Sequence, residues 1–309
     1  MTVKPWDENV PLILVTNDDG IESPGLLAAV EAVRPLGNVV VVAPTTQQTA
    51  RGRSMVGERG DRFHTVELPL SSRSDTSVGT VRAWHVHASP ALVVRHALAT
   101  VCRDRHPDLL LSGINYGENL GNNITISGTL GAAFQAAAQG IPALALSRQT
   151  DIEHHFHYGE LDWTDATRVA RRWAQRLLEL TFRGRYHFPT GRMPSDGTSD
   201  HPAAKLPFDV LKVDVPAECP PDTEERITRL SRRHYFLSLI EDAAEDTPIG
   251  AAQTHIDIDR KGLSPDDDIY AVAIDGVISV TPLELDNTAS IEATVAAFET
   301  NAPSGSARR

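Results

Sequence analysis

The chain is poor in cysteine and lysine and has no long apolar run. Its two cysteines, Cys102 and Cys219, form neither a disulfide framework nor a paired zinc spacing, so a reducing cytoplasmic setting is expected. No stretch approaches the roughly 20 apolar residues of a membrane span, and the first ten residues lack the apolar core of a signal peptide, so neither membrane insertion nor secretion is expected. Positive charge is short as well: 29 Lys and Arg stand against 41 Asp and Glu, a net charge of -12. Nucleic-acid polymers and anionic membranes are held by surplus cationic charge, which argues against both as partners. Lysine stands only at 4, 205, 212 and 261, and nothing mechanistic follows from that. At 309 residues, 41% of them hydrophobic, the chain has enough apolar material for a substantial core.

The most informative segment is Leu12-Ile13-Leu14-Val15-Thr16-Asn17-Asp18-Asp19-Gly20. Its apolar run reads as a buried strand that delivers two adjacent carboxylates to its carboxyl end. Ser23 is placed to cap the helix that follows, Pro24 suits its first position, and Leu26, Leu27, Val30 and Val33 recur at helical spacing. In open α/β sheets ligands bind at such strand-to-helix crevices, and adjacent acids there repel one another unless a cation neutralises them. A hard divalent metal is the economical explanation.

Gly37 then ends the helix, and Asn38 to Pro44 reads as a second buried strand, giving a right-handed βαβ start to a parallel sheet. Residues 45–63 read as a mobile loop over the strand ends. Strands are expected at Val66 to Leu70, Thr80 to Val86, Asp108 to Gly113, Pro142 to Ser147, Val210 to Val215 and Val277 to Leu283. Helices are expected over Pro90 to Cys102, Gly128 to Gln139, Thr164 to Phe182 and Ser290 to Phe298. The expected fold is a Rossmann-like, doubly wound α/β core with a mostly parallel sheet and a C-terminal extended β arm. Its expected divisions are a core over 1–215 with a surface insertion at 183–206, an oligomerising arm, return strand and helix over 216–300, and a disordered tail at 301–309.

Two further segments end on the same sheet edge as Asp18 and Asp19: Ser112-Gly113-Ile114-Asn115 and Ser127-Gly128-Thr129. An asparagine carbonyl suits a hard cation, and a Ser-Gly-Thr at a helix start offers hydroxyls and free backbone N–H groups to an anion. Between them lies the glycine-punctuated loop from Gly117 to Asn123. Elsewhere, His154-His155-Phe156-His157 reads as a solvated connector, Arg232-Arg233-His234-Tyr235 as an exposed arm, and His85 and His87 as satisfied structural histidines.

Taken in order, Val15 to Ile21 with Pro24-Gly25, Val41 to Pro44, Ser112 to Asn115 with Asn119-Leu120-Gly121, and Ser127 to Thr129 resemble the SurE family, the stationary-phase survival nucleotidases. The likeness resumes at Leu211 to Pro216, Ile227 to Leu230 and Gly276 to Leu283. This resemblance implies a divalent-metal-dependent 5'-nucleotidase that hydrolyses nucleoside 5′- and 3′-monophosphates and, in some members, short polyphosphate. It implies one Mg²⁺ or Mn²⁺ ion per subunit held by Asp18, Asp19, Asn115 and Thr49, phosphate contacts from Asn119, Ser127, Gly128 and Thr129, and a homodimer or homotetramer. Residues 45–51 depart from the family's usual Asp-Arg-Asn-x-Ser-Gly, and Asn122 and Asn123 stand where two aspartates are frequent.

A metal there would polarise the phosphoryl group and activate water, with Asp18 and Asp19 as the catalytic pair; which of them acts on the water is left open. Haloacid-dehalogenase chemistry wants Asp-x-Asp, which the first strand lacks. A non-catalytic nucleotide- or metal-binding module is the alternative from a different class.

Overall fold

The structure is a computed structural model that describes residues 6–71, 79–155, 158–182, 186–187, 204–256 and 258–300. Its strands are β1 (Leu12–Thr16), β2 (Asn38–Pro44), β3 (His64–Val66), β4 (Val81–Val86), β5 (Leu109–Tyr116), β6 (Ala143–Arg148), β7 (Tyr186–His187), β8 (Ala204–Lys205), β9 (Val210–Val215), β10 (Glu225–Ile227), β11 (Phe236–Leu239), β12 (Gln253–Ile256) and β13 (Ile278–Leu283). The helices are α1 (Pro24–Val33), α2 (Pro90–Ala99), α3 (Gly128–Ala137), α4 (Thr164–Thr181), α5 (Asp268–Ala273) and α6 (Ile291–Thr300).

Nine strands form one sheet in the order β10-β13-β9-β6-β5-β1-β2-β4-β3. It is parallel except where β3 meets β4 and β13 meets β9. Residues 12–15 of β1, 39–43 of β2 and 109–111 of β5 are apolar at every position because both faces of the sheet are covered. Ile13 and Val15 face α1 and α4, where they meet Leu26, Val30, Val169 and Leu177. Leu12 and Leu14 face α2 and α3, where they meet Val94, Leu98, Leu130 and Ala133. A third cluster, Leu120, Tyr235, Ile269 and Val272, ties α5 and the approach to β11 to the loop after β5.

The winding direction reverses around β1. The chain moves outward through β2 to β4, then returns to β5 on the other side of β1 and continues to β6 and β9. The carboxyl ends of β1 and β5 therefore flank a switch point, where the diverging connections leave a crevice. Gly25 lets α1 approach that crevice, since a Cβ there would stand 2.1 Å from the carbonyl oxygen of Ile114.

Several expectations shift. Ser23 occupies the N-cap of α1, but its side chain makes no cap hydrogen bond and its hydroxyl has no partner; Pro24 alone pre-sets the helix start. The strand expected at Val66 to Leu70 lies earlier, at His64–Val66, because that is the stretch β4 can pair. The C-terminal arm is two things: β10 joins the central sheet beside β13, whereas β11 and β12 form a separate antiparallel hairpin. The short helix α5 was not expected. Most of the insertion at 183–206 and the whole tail at 301–309 lie outside the described residues.

Candidate active site

Asp18 and Asp19 leave β1 in a turn built by their neighbours. Asn17 donates to the Gly20 carbonyl at 2.9 Å and accepts from the Gly20 N–H at 3.2 Å. Gly20 has φ +106°, a left-handed conformation that glycine adopts without a Cβ clash. The Ile21 N–H bonds to the Pro44 carbonyl at 2.9 Å, so the turn is anchored to the end of β2. Both acids are buried, Asp18 6% and Asp19 3% exposed.

Asp18 sits against the start of α3. The backbone N–H groups of Gly128 and Thr129 point to it, and the Thr129 hydroxyl donates to its Oδ1 at 2.6 Å. A Cβ at residue 128 would lie 2.7 Å from Asp18, so glycine is needed for the helix N-terminus to approach. The Thr129 hydroxyl also lies 3.1 Å from the Asn115 Oδ1. One hydroxyl carries one proton, so at least one of these two oxygens keeps its lone pairs for another partner. Asp19 accepts from the Tyr116 N–H at 3.2 Å and lies 3.4 Å from the Gln47 amide.

These bonds do not neutralise the pair. Burial raises the Asp18 pKa and drives that of Asp19 well above the usual carboxylate range, with the Asp18 charge adding to the rise. Among the described residues no lysine, arginine or histidine forms an ion pair with either acid. Two buried carboxylates, an asparagine carbonyl and a threonine hydroxyl make an all-oxygen donor set that fits a hard divalent cation. Asp18, Asp19, Thr49 and Asn115 all line one cavity of about 370 Å³. A wider groove, about 900 Å³, runs between α1 and α4. Its Arg172 and Arg176 are engaged by Glu225, and it holds no comparable pair of buried acids.

The expected phosphate-binding residues divide. Asn119 and Ser127 line the cavity. Ser127 accepts from the Leu130 N–H at 3.2 Å, which leaves its own O–H proton free. Thr129 is fully buried and its hydroxyl is turned to Asp18 and Asn115, so its side chain orients those two residues from behind.

Beneath the loop lies a buried ionic cluster. Lys212, Asp214 and Asp268 are all 0% exposed, and the lysine pairs with both acids, at 3.0 Å for Asp268. Asp214 accepts from the Asn119 N–H at 2.8 Å, and Asp268 accepts from the Gly121 N–H at 3.0 Å and the Ser231 N–H at 2.9 Å. The cluster thus clamps both sides of Leu120. Burial opposes the lysine's charge, but Asp214 and Asp268 outweigh it and hold the Lys212 pKa above its ordinary value.

Sequence reasoning missed other walls of the cavity. His155, expected in a solvated connector, packs edge-on against Phe236 and lines the cavity together with it; His157 lies outside the described residues. The His155 Nε2 is buried without a partner, and burial lowers the pKa of that ring, which favours neutral imidazole. Its carbonyl accepts from Gln47 at 2.7 Å, joining this segment to the loop after β2. Tyr235, expected on an exposed arm, is 1% exposed in the third cluster. No local pattern marks these residues, because the partners that bury them lie about 35 to 115 positions away in the chain.

The family model described as Survival protein SurE matches residues 13–236. The 5'-nucleotidase SurE of Thermococcus kodakarensis is 37% identical over 281 residues, covering 90% of this chain and 94% of the relative. That of Methanocella arvoryzae is 36% identical over 283 residues, covering 90% and 93%. The crystal structure of the SurE protein from Aquifex aeolicus superposes with a TM-score of 0.63 at 26% identity, over 94% of this chain and all of that one. The acid-bearing turn, the glycine-opened helix start and the sheet order thus occur in a chain whose likeness to these proteins runs nearly end to end, and the chain belongs to the SurE family.

Proposed function

We propose that this protein is a divalent-metal-dependent phosphomonoesterase that hydrolyses nucleoside 5′- and 3′-monophosphates. The observation that carries the reading is the pair of adjacent, buried carboxylates, without an ion pair to any cationic side chain among the described residues, in a cavity that His155 and Phe236 also line. Asp18, Asp19, Asn115 and Thr49 would hold one Mg²⁺ or Mn²⁺ ion. When bound, such an ion supplies Lewis-acid polarisation of the phosphoryl group and lowers the pKa of nearby water.

The chain's own residues do the positioning. Tyr116 and Gln47 fix Asp19 from one side, and Thr129 with the α3 N-terminus fixes Asp18 from the other. The free Ser127 proton and the second proton of the Asn119 side-chain NH₂, whose first goes to the Ser147 hydroxyl oxygen at 2.7 Å, are the donors for phosphate oxygens, where hydrogen bonds to developing charge count most. Phe236 and the neutral His155 ring flank the space for the nucleoside, and stacking on such rings tolerates any base. The relatives named 5'-nucleotidase span 90% of this chain, which weighs against a binding-only module.

The protein is read as cytoplasmic; among the described residues no helix is long and apolar enough to cross a membrane. Assembly as a homodimer or homotetramer is supported by the apolar residues around the β11–β12 hairpin, where Leu239, Ile240, Ile249 and Ile256 are exposed, and light scattering after size exclusion tests it.

The decisive assay is phosphate release from a panel of 5′- and 3′-nucleoside monophosphates with Mn²⁺, Mg²⁺ or EDTA, comparing wild type with Asp18→Ala. Metal-dependent release that vanishes in the variant is expected. No release from any substrate with any metal would overturn the reading.

A further inference from the structure

The β3–β4 edge of the sheet carries side-chain chemistry that the proposed reaction does not use. Asp61 stands between two imidazoles, with Oδ1 2.7 Å from the His64 Nε2 and Oδ2 3.0 Å from the His87 Nδ1. A third ring, His85, lies 5.3 Å from that of His64. Glu58 completes a constellation in which Glu58, Asp61 and His87 each present a ligand atom within 4.8 Å of the other two.

The backbone holds this arrangement in place. Gly57 bridges Ala88 in antiparallel fashion, the Glu58 N–H bonds to the His87 carbonyl at 2.9 Å, and the Asp61 N–H bonds to the Glu58 carbonyl at 3.1 Å. The His87 N–H in turn donates to Asp61 at 2.8 Å. That bond and the His64 ring hold the Asp61 carboxyl well below the usual carboxylate range, so it is ionised. The Asp61 side chain is only 11% exposed, while those of His64 and His87 are about half exposed. A firmly held carboxylate is therefore flanked by ligands that solvent ions can reach.

We propose that Glu58, Asp61 and His87 form a second metal site, separate from Asp18 and Asp19, that takes a borderline divalent transition ion of the Zn²⁺, Co²⁺ or Ni²⁺ class. Ligands at about 2.1 Å from such an ion stand roughly 3.0–3.4 Å apart, so the existing separations need shifts of about 1 Å in exposed side chains. His87 binds through Nδ1 after its ring proton moves to Nε2, a change of tautomer that leaves the ring neutral. His64 stays on the far oxygen of Asp61 and orients it, as outer hydrogen bonds do at metal sites. One imidazole with two carboxylates disfavours Mg²⁺, which prefers oxygen and water ligands.

The test is calorimetric titration of untagged protein with Co²⁺ in an Asp18→Asn/Asp19→Asn background, which disables the first site, with the visible Co²⁺ spectrum as a second readout. One equivalent should bind at submillimolar Co²⁺, survive excess Mg²⁺, and weaken at least about tenfold on adding Glu58→Gln or His87→Ala. His255→Ala, at an exposed histidine on β12, should change nothing. Glu58→Gln preserves the Asp61–His87 hydrogen bond, so its effect reports ligation and not local structure. No bound equivalent, or one indifferent to both Glu58→Gln and His87→Ala, would overturn the proposal, and equal displacement by Mg²⁺ would overturn the ion class. None of these outcomes depends on nucleotidase activity.

Discussion

Replacing Lys212 by methionine isolates the charge beneath the loop at Leu120. The change keeps the length and apolar body of the side chain and removes the ammonium from between Asp214 and Asp268, both 0% exposed. Two buried carboxylates then face one another without a cation, and breaking a buried pair in this way costs about 3–5 kcal/mol. At roughly 2–4 °C per kcal/mol for a large domain, the melting temperature should fall by about 6–20 °C. Because Asp214 and Asp268 anchor the Asn119 and Gly121 N–H groups, KM for the nucleotide should rise as well. Adding Asp214→Asn restores the cluster's original net charge. Its amide oxygen can still accept from Asn119, and its NH₂ takes the place of the ammonium facing Asp268. The double variant should therefore recover about 1–3 kcal/mol relative to Lys212→Met alone, a coupling within the range for residues in contact. Calorimetry and urea unfolding of the single and double variants measure it. A Lys212→Met loss below about 1 kcal/mol, or a double variant as unstable as the sum of the singles, would refute the argument.

Thr129→Val removes the hydroxyl that orients Asp18 and Asn115, and should weaken activating-metal affinity by about 10–100-fold, read by titrating Mn²⁺ against activity. Gly128→Ala places a methyl 2.7 Å from Asp18; turnover should drop at least about 100-fold while the melting temperature moves by only a few degrees, because displacement of about 1 Å is enough to disable a catalytic constellation. Glu118, 2% exposed, has its pKa raised by burial to about 7 from an ordinary 4.5. The folded state therefore holds the proton more tightly, and the stabilisation present below pH 4.5 is lost as pH rises through 7. This amounts to about 3 kcal/mol, and Glu118→Gln should flatten that decline in unfolding curves taken from pH 4.5 to 8. Phe236→Ala should raise KM for nucleoside monophosphates by about 5- to 150-fold, the equivalent of one lost base stack, and leave ribose 5-phosphate hydrolysis largely unchanged.

Local sequence carried the central sheet and its ligand edge. Runs such as Leu12 to Val15 and Val39 to Val42 are apolar at every position, which only a strand covered on both faces requires. Pro24, Gly128 and Gly20 mark helix starts and a turn through backbone constraints that operate within a few residues. The same locality explains why Asp18, Asp19, Asn115 and Ser127 could be picked out: each ends a strand or opens a helix on one side of a parallel sheet. What tertiary structure alone decided is pairing at a distance. The commitment of the Thr129 hydroxyl to Asp18, the clamp of Lys212, Asp214 and Asp268 on the loop at Leu120, the entry of His155 and Phe236 into the cavity wall, and the gathering of Glu58, Asp61 and His87 all join residues far apart in the chain. Their energies depend on burial and on separations of a few ångströms, which are properties of the packed fold, whereas hydrophobic period and turn chemistry are written into the chain itself.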